Sequence, residues 1–301
     1  MLVTGSNGFI GSALVAALRQ RGDEIVPVVR TTPALGEVGI DLGSRRLDTS
    51  RLPGRTLDGA RIDGAVHLAG ASLVGRWTAA KKEAIRQSRI AVGDIVARAL
   101  AGMDRPPGVL VSGSAIGYYG DTGERAVDEG DGSGVGFLPE VCRAWEESAN
   151  PAREANIRVV SVRTGIVLGK GGVLQLMLPA FRLGLGARLG SGRQWTSWIS
   201  LEDEVRVLLR AMDDTTLAGP LNATAPAPVR NAELTADIAA AVHRPAVLAV
   251  PAPVLRAALG PAAANETLLV SQRVLSRRLI ETDFDFRHET AGAAIAAALR
   301  T

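Results

Sequence analysis

Short β-branched runs alternate along this chain with segments of helical period, and that alternation predicts a fold before any single residue is considered. Leu2 to Thr4 reads as a strand, residues 13–21 as a helix apolar on one face, and Gly22 as its stop before a strand over 24–30. Further strands follow over 38–41, 65–68, 109–112 and 158–162. Between them Thr78 caps a helix running from 79 to about 101, whose buried face is Ile85, Ile90, Val92, Ile95, Val96 and Leu100. A second helix over 137–150 is stopped by Pro151. The pattern predicts an α/β fold: a doubly wound Rossmann parallel sheet, with ligands beyond the strands' carboxyl ends. Pro27 resists it, since an interior second strand would lose a ladder donor there, and a bulge or a later strand start is expected.

Past residue 170 the alternation stops. Gly184, Gly186, Gly190 and Gly192 punctuate a loop, Ser200-Leu201-Glu202-Asp203 resembles a capping box opening a helix to Met212, and Asn231 caps a helix to Val242. The strand 221–224 is expected to return to the sheet. Residues 1–169 and 195–225 are therefore assigned to a dinucleotide-binding domain, and 170–194 with 226–301 to a smaller mixed lobe capping a substrate cleft.

Composition narrows the classes. With 301 residues and 47% hydrophobic content the chain can bury one broad α/β core and a lobe. Its net charge of +3 is interspersed, without the basic stripe that nucleic-acid binding needs. The single cysteine, Cys142, excludes an internal disulfide framework, and without a basic-then-apolar leader a reducing cytoplasm is expected. Residues 245–264 carry one charge, Arg256, but Pro251, Pro253 and Pro261 argue against a membrane-spanning helix. His67, His243 and His288 lack metal-ligand spacing, so no metal is assigned. A phosphate loop at 165–171 fails because Lys170 is followed by Gly171.

The candidate chemistry begins at Thr4-Gly5-Ser6-Asn7-Gly8-Phe9-Ile10-Gly11. Gly5 permits a tight turn, Gly8 lets backbone approach a diphosphate, and Gly11 lets the helix pack on the strand. Helix N–H groups then face the anion, with Thr4, Asn7, Phe9 and Ile10 completing the cradle. A glycine-rich turn that binds nothing is the alternative. Ala69-Gly70 ends the strand over 65–68 and leaves room for a cofactor to cross the backbone, or simply terminates the strand.

These motifs, with Ser112-Gly113-Ser114-Ala115-Ile116-Gly117-Tyr118-Tyr119-Gly120 and Trp198-Ile199-x-x-x-Asp203, resemble the extended short-chain dehydrogenase/reductase superfamily. More narrowly, the chain resembles an atypical, sugar-nucleotide-epimerase-like branch, related to NAD-dependent epimerase/dehydratases, with a C-terminal domain of unknown function. The residues carrying this are Arg76-Trp77-Thr78, Ser88-Arg89, Cys142-x-x-Trp145-Glu146, Arg163-Thr164-Gly165, Gly190-Ser191-Gly192-Arg193-Gln194 and Gln272-Arg273-Val274-Leu275. The match runs from residue 2 to about 299. It implies an NADP(H) cofactor, a small-molecule substrate in an inter-lobe cleft, and a homodimer through the long helices. Arg30 supports NADP(H) independently, because an acid there would bond a ribose hydroxyl whereas a guanidinium can bond a 2′-phosphate. A solvated strand-end cation is the other reading of Arg30. Asp41 resembles the superfamily's acid near the adenine.

Superfamily enzymes usually carry Tyr-x-x-x-Lys, in which the lysine lowers the tyrosine pKa for proton exchange. Here the expected positions hold Leu138 and Cys142. Ser114 matches the superfamily serine that bonds a substrate oxygen, and Tyr118 or Tyr119 is the replacement acid, unless both rings wall the pocket. Glu140 and Glu146 are read either as acids or as a solvated helix face, and Cys142 either as a reactive nucleophile or as a half-buried structural thiol, the second reading being preferred in each case. Arg193 is a substrate clamp for a phosphate or carboxylate, and Trp198 with Trp195 either floors the substrate site or packs in the core. Two functions stand: an NADP(H)-dependent oxidoreductase or epimerase-like enzyme acting on a small hydroxyl or carbonyl compound, and a non-catalytic NADP(H)-binding sensor or scaffold.

Overall fold

A computed structural model describes residues 1–300. Its centre is an eight-stranded sheet in the order Gly219–Ala223, Arg158–Thr164, β6 (Val109–Ala115), β5 (Gly64–His67), β1 (Leu2–Thr4), β2 (Val26–Val29), β3 (Val38–Asp41) and β4 (Arg46–Asp48). Every pairing is parallel except β3 with β4, the antiparallel edge. The doubly wound sheet expected from the pattern is therefore present. Chain order runs outward from β1 through β2 and β3, then returns to the other side of β1 at β5. That reversal opens a crevice above the carboxyl ends of β1 and β5, where such sheets take their ligands.

Both faces of the sheet are covered because both sets of alternating side chains are apolar. On one face Val3, Val66, Val111, Val160 and Val162 pack under α1 (Phe9–Gln20) and the helix Leu201–Asp213. On the other, Leu2, Ala65, Leu110 and Val159 meet α3 (Val92–Ala101). The long helix expected from residue 79 runs as α2 (Ala79–Arg86), a π turn at Gln87–Ala91 and then α3. Thr78 caps it, its hydroxyl accepting the Lys81 amide. Ser200 caps the helix Leu201–Asp213 in the same way.

Pro27 sits inside β2 without a bulge, contrary to expectation. The Val26 amide donates to Met1, so Pro27 faces the β3 side, and β3 pairs only from Val28 onward. No ladder donor is lost because no acceptor stands there. Pro151 is likewise no stop. α4 (Phe137–Glu147) ends before it, and Pro151 occupies the first turn of Asn150–Glu154, where a missing N–H costs nothing.

The C-terminal half builds a third core. Leu168 and Trp198 join Leu174, Leu178, Phe181, Leu234, Ile238 and Ile295, binding the helices Gly172–Arg182, Asn231–Ala241 and Ala291–Arg300 to the sheet's end. Glu266 reaches across to α4 and accepts the Leu138 amide at 2.7 Å, satisfying a donor that the helix start leaves free. Asp203, fully buried, accepts the Arg287 and His288 amides and so ties the chain's end to the helix Leu201–Asp213. No helix among the described residues is long and apolar enough to cross a membrane.

Candidate functional site

The glycine turn is built so tightly that its sequence allows little else. Gly5 has φ +69°, and a Cβ there would lie 2.7 Å from the Leu68 carbonyl across the crevice. A Cβ on Gly11 would lie 2.1 Å from the Gly5 oxygen, inside any contact distance. The Gly8 amide donates to the Gly5 carbonyl and the Gly8 carbonyl accepts from Ser12, so helical bonding starts at Gly8. The amides of Phe9 and Ile10 thus have no carbonyl one turn earlier to bond. Asn7 and Gly8 are exposed, and the first turn of α1 carries no acid. Phe9 is half-buried with its ring against Gly169, Gly171 and Gly172, and Ile10 packs into the first core.

Thr4 serves differently from its expected place in the cradle. Its hydroxyl accepts the amides of Leu68 and Ala69, both at 3.1 Å, so its own proton goes to His67 Nδ1 at 2.7 Å. That fixes His67 as the neutral tautomer with hydrogen on Nε2, which donates to the Arg89 carbonyl at 3.1 Å. Burial pushes the imidazole pKa down to about 4. The side chain of Thr4 therefore pins β1 to the end of β5 and has no proton left for a phosphate.

Arg30 lies exposed just beyond β2, with no hydrogen-bond or ion-pair partner among the described residues. Ala69 and Gly70 follow β5, and a Cβ on Gly70 would come 3.1 Å from the guanidinium of Arg89. Arg89 is a residue that motif reading left without a role. It donates to the Ala71 and Ile85 carbonyls, stacks over Trp145, and has no carboxylate partner among the described residues. Burial lowers its pKa. The crevice thus has cations at two of its edges, Arg30 and Arg89, and no acid between them on the glycine turn.

Register sets the second half of the site. Ser114 on β6 pairs with Arg163, which pairs with Asn222, so the three share one row on one face of the sheet. The Ser114 hydroxyl donates to Glu146 Oε1 at 2.7 Å, and Arg163 grips the same carboxylate through Nε at 2.8 Å and Nη2 at 2.9 Å. Arg163 Nη1 donates to the Tyr119 hydroxyl at 2.9 Å, and that hydroxyl donates to Asn222 Oδ1 at 2.8 Å. Three of the sequence readings change here. Glu146 is not on a solvated face: it lies i+8 from Leu138 and i+4 from Cys142, on the buried side of α4. Tyr119 is buried, its hydroxyl is fully engaged, and burial pushes its pKa up to about 12, so it is a structural clamp and no proton donor. Ser114, buried, has its proton committed to Glu146, so it can accept from a partner but not donate.

Tyr118 remains half-buried, its ring 3.5 Å from the Arg163 guanidinium and edge-on to Tyr119. Leu138 and Cys142 are both buried, and burial pushes the thiol up to about 12. Cys142 is thereby an inert thiol, more deeply buried than expected. Trp198 is fully enclosed in the third core with its indole N–H on the Ala227 carbonyl at 3.0 Å, which removes it from any substrate surface. Arg193 is exposed on its glycine loop, its carbonyl held by Arg230, which also pairs with Glu124 at 2.7 Å and stacks on Trp195. The structure does not bring Arg193 into contact with Ser114 or Tyr118.

A dinucleotide crevice at the switch point of a doubly wound sheet is matched by family likeness. Residues 1–222 match the profile of the NAD dependent epimerase/dehydratase family. The chain belongs to that family. Residues 250–298 match a domain of unknown function, DUF1731. The epimerase family protein Mb2239 of Mycobacterium bovis is 44% identical over 296 residues, covering 97% of this chain and 95% of its own length. The chloroplastic SDR39U1 homologue of Arabidopsis thaliana is 36% identical, covering 99% of this chain and 86% of its own length. Among solved structures, human epimerase family protein SDR39U1, crystallised with NADPH, superposes with a TM-score of 0.89 at 32% identity, covering 100% of this chain and 99% of that one.

Proposed function

We propose that this family member binds NADP(H) over the Gly5–Gly11 turn and exchanges hydride with a small carbonyl or hydroxyl compound. One observation carries the cofactor choice: Arg30, beyond β2, is a free guanidinium where an NAD site holds an acid. The residues present fit the group. Gly5 and Gly11 have no room for a Cβ, the first helical amides are unspent, and the first turn lacks a carboxylate that would repel a diphosphate. The NADPH-bound human relative supports the same reading. When bound, NADPH supplies a hydride to an electrophilic carbon.

This chain's residues divide the remaining work. Backbone amides at Phe9 and Ile10 hold the diphosphate, Arg30 the 2′-phosphate, and Thr4 with His67 keeps β1 and β5 at the spacing the crevice needs. The Ser114–Glu146–Arg163 cluster fixes the end of β6. Tyr118 is the phenol left to move a proton, since Tyr119 is locked between Arg163 and Asn222.

A second reading is favoured by Leu138 and Cys142 standing where the usual acid pair would be: NADP(H) is held as a sensor or scaffold ligand without turnover. Thermal shift and NADPH consumption separate the two. NADP should stabilise the protein more than NAD, with Arg30→Glu reversing the order; equal shifts in parent and variant would remove Arg30 from the site. Incubation with NADPH and a carbonyl panel should give a rate that Tyr118→Phe abolishes. Binding without any rate would establish the sensor reading.

A further inference from the structure

The C-terminal lobe carries an unusual surface. Two stretches that meet in it, 155–201, which runs out of the central sheet into the lobe, and 238–265, contain no aspartate or glutamate at all. They are brought side by side by a two-stranded parallel ribbon in which Ala187–Leu189 pairs with Leu248–Val250. Around that ribbon large apolar side chains stand in solvent: Leu183 and Leu185 on entry to the first strand, Val247 and Leu248 at the start of the second. Leu183 is 76% exposed and Val247 84%; Leu35 and Val135 are more exposed still but stand singly, whereas here four such side chains flank one ribbon, and it is the grouping that marks a contact surface. Leu176 extends the patch along the helix Gly172–Arg182, since residues seven apart share a helix face.

The charges within the patch have one sign. Arg182, Arg188 and Arg244 are exposed, and Arg244 reaches the Arg182 carbonyl at 3.2 Å, which places the two segments' cations together. We propose that this face docks on an anionic lipid surface, the leucines and valines entering the headgroup boundary while the guanidiniums meet phosphate. Charge complementarity selects that occupant. A second copy meeting the same face across a two-fold axis would set arginine against arginine with no carboxylate in either segment to offset it. With no helix among the described residues long and apolar enough to cross a bilayer, the contact proposed is with the interface alone. The ribbon belongs to the lobe and carries none of the glycine-turn or Ser114 residues, so membrane attachment leaves the crevice residues free.

The test is co-sedimentation of the whole protein with vesicles of phosphatidylcholine alone and of equimolar phosphatidylcholine and phosphatidylglycerol. The protein should pellet with the anionic vesicles only, and high salt should release it. At about fivefold per arginine, the triple variant Arg182→Gln, Arg188→Gln, Arg244→Gln should partition on the order of a hundredfold more weakly. The triple Leu183→Ser, Leu185→Ser, Leu248→Ser should also detach, with the melting temperature confirming that both variants fold. No pelleting of the unmodified protein with anionic vesicles would overturn the proposal. So would a dimer, seen by sedimentation velocity without lipid, that the leucine variant dissolves, because the occupant would then be a second copy.

Discussion

Glu204 should make this protein less stable as pH rises through neutrality, and Glu204→Gln should remove that loss. The side chain is fully buried in the first turn of Leu201–Asp213; Oε1 accepts from the Thr164 hydroxyl at 2.8 Å and Oε2 has no partner. Burial without a cation pushes its pKa from 4.5 up to about 8. An acid whose folded pKa is raised costs nothing below its unfolded value, because both states are protonated. Above that value the unfolded chain ionises and the folded one does not, so stability falls until the folded pKa is passed. At 1.36 kcal/mol per unit the cost is roughly 3 kcal/mol at pH 7, from about 2.5 units, and roughly 5 kcal/mol above pH 8. Gln keeps the acceptor for Thr164 and cannot ionise. Urea unfolding of parent and variant at about pH 5, 7 and 8.5 should show near-equal stability at the first and a gap widening to several kcal/mol at the last. A gap that does not change with pH would refute the reasoning, since it would mean that the carboxyl is ionised or hydrated in the folded state.

Three further outcomes follow from the geometry. Glu146→Gln should cost about 3–5 kcal/mol in urea unfolding, because Arg163 is left as a buried cation without its carboxylate. Gly11→Ala should lose the NADP-induced thermal shift and at least about 3 kcal/mol of stability, since the new Cβ meets the rigid Gly5 carbonyl. Trp198→Ala should lower stability by about 3–5 kcal/mol while leaving NADP affinity per folded molecule unchanged, as measured by titration calorimetry on the folded fraction.

Although the edge strand Arg46–Asp48 went unmarked, periodicity and glycine spacing marked most of the sheet's strands, several of its helices and the diphosphate turn, because which local element forms depends on residues close in sequence. Thr4-Gly5 to Gly11 is such a case: tight turn, close approach and helix start all fall within one short run. Val38–Asp41 was legible for the same reason. Glu146 was partly legible, since its spacing from Leu138 and Cys142 puts it on their buried face, but a carboxylate on an amphipathic helix gives no sign of its partner. That partner came only from parallel register, which sets Ser114 beside Arg163 and Arg163 beside Asn222. The same register decided that Tyr119 is a clamp, and packing decided that Trp198 is core. Pro27 looked like a fault until the staggered start of β3 removed the acceptor it would have needed. Local sequence fixes which element forms, whereas the burial and partner of a polar side chain depend on strands and helices far away in the chain, and only the assembled fold brings those together.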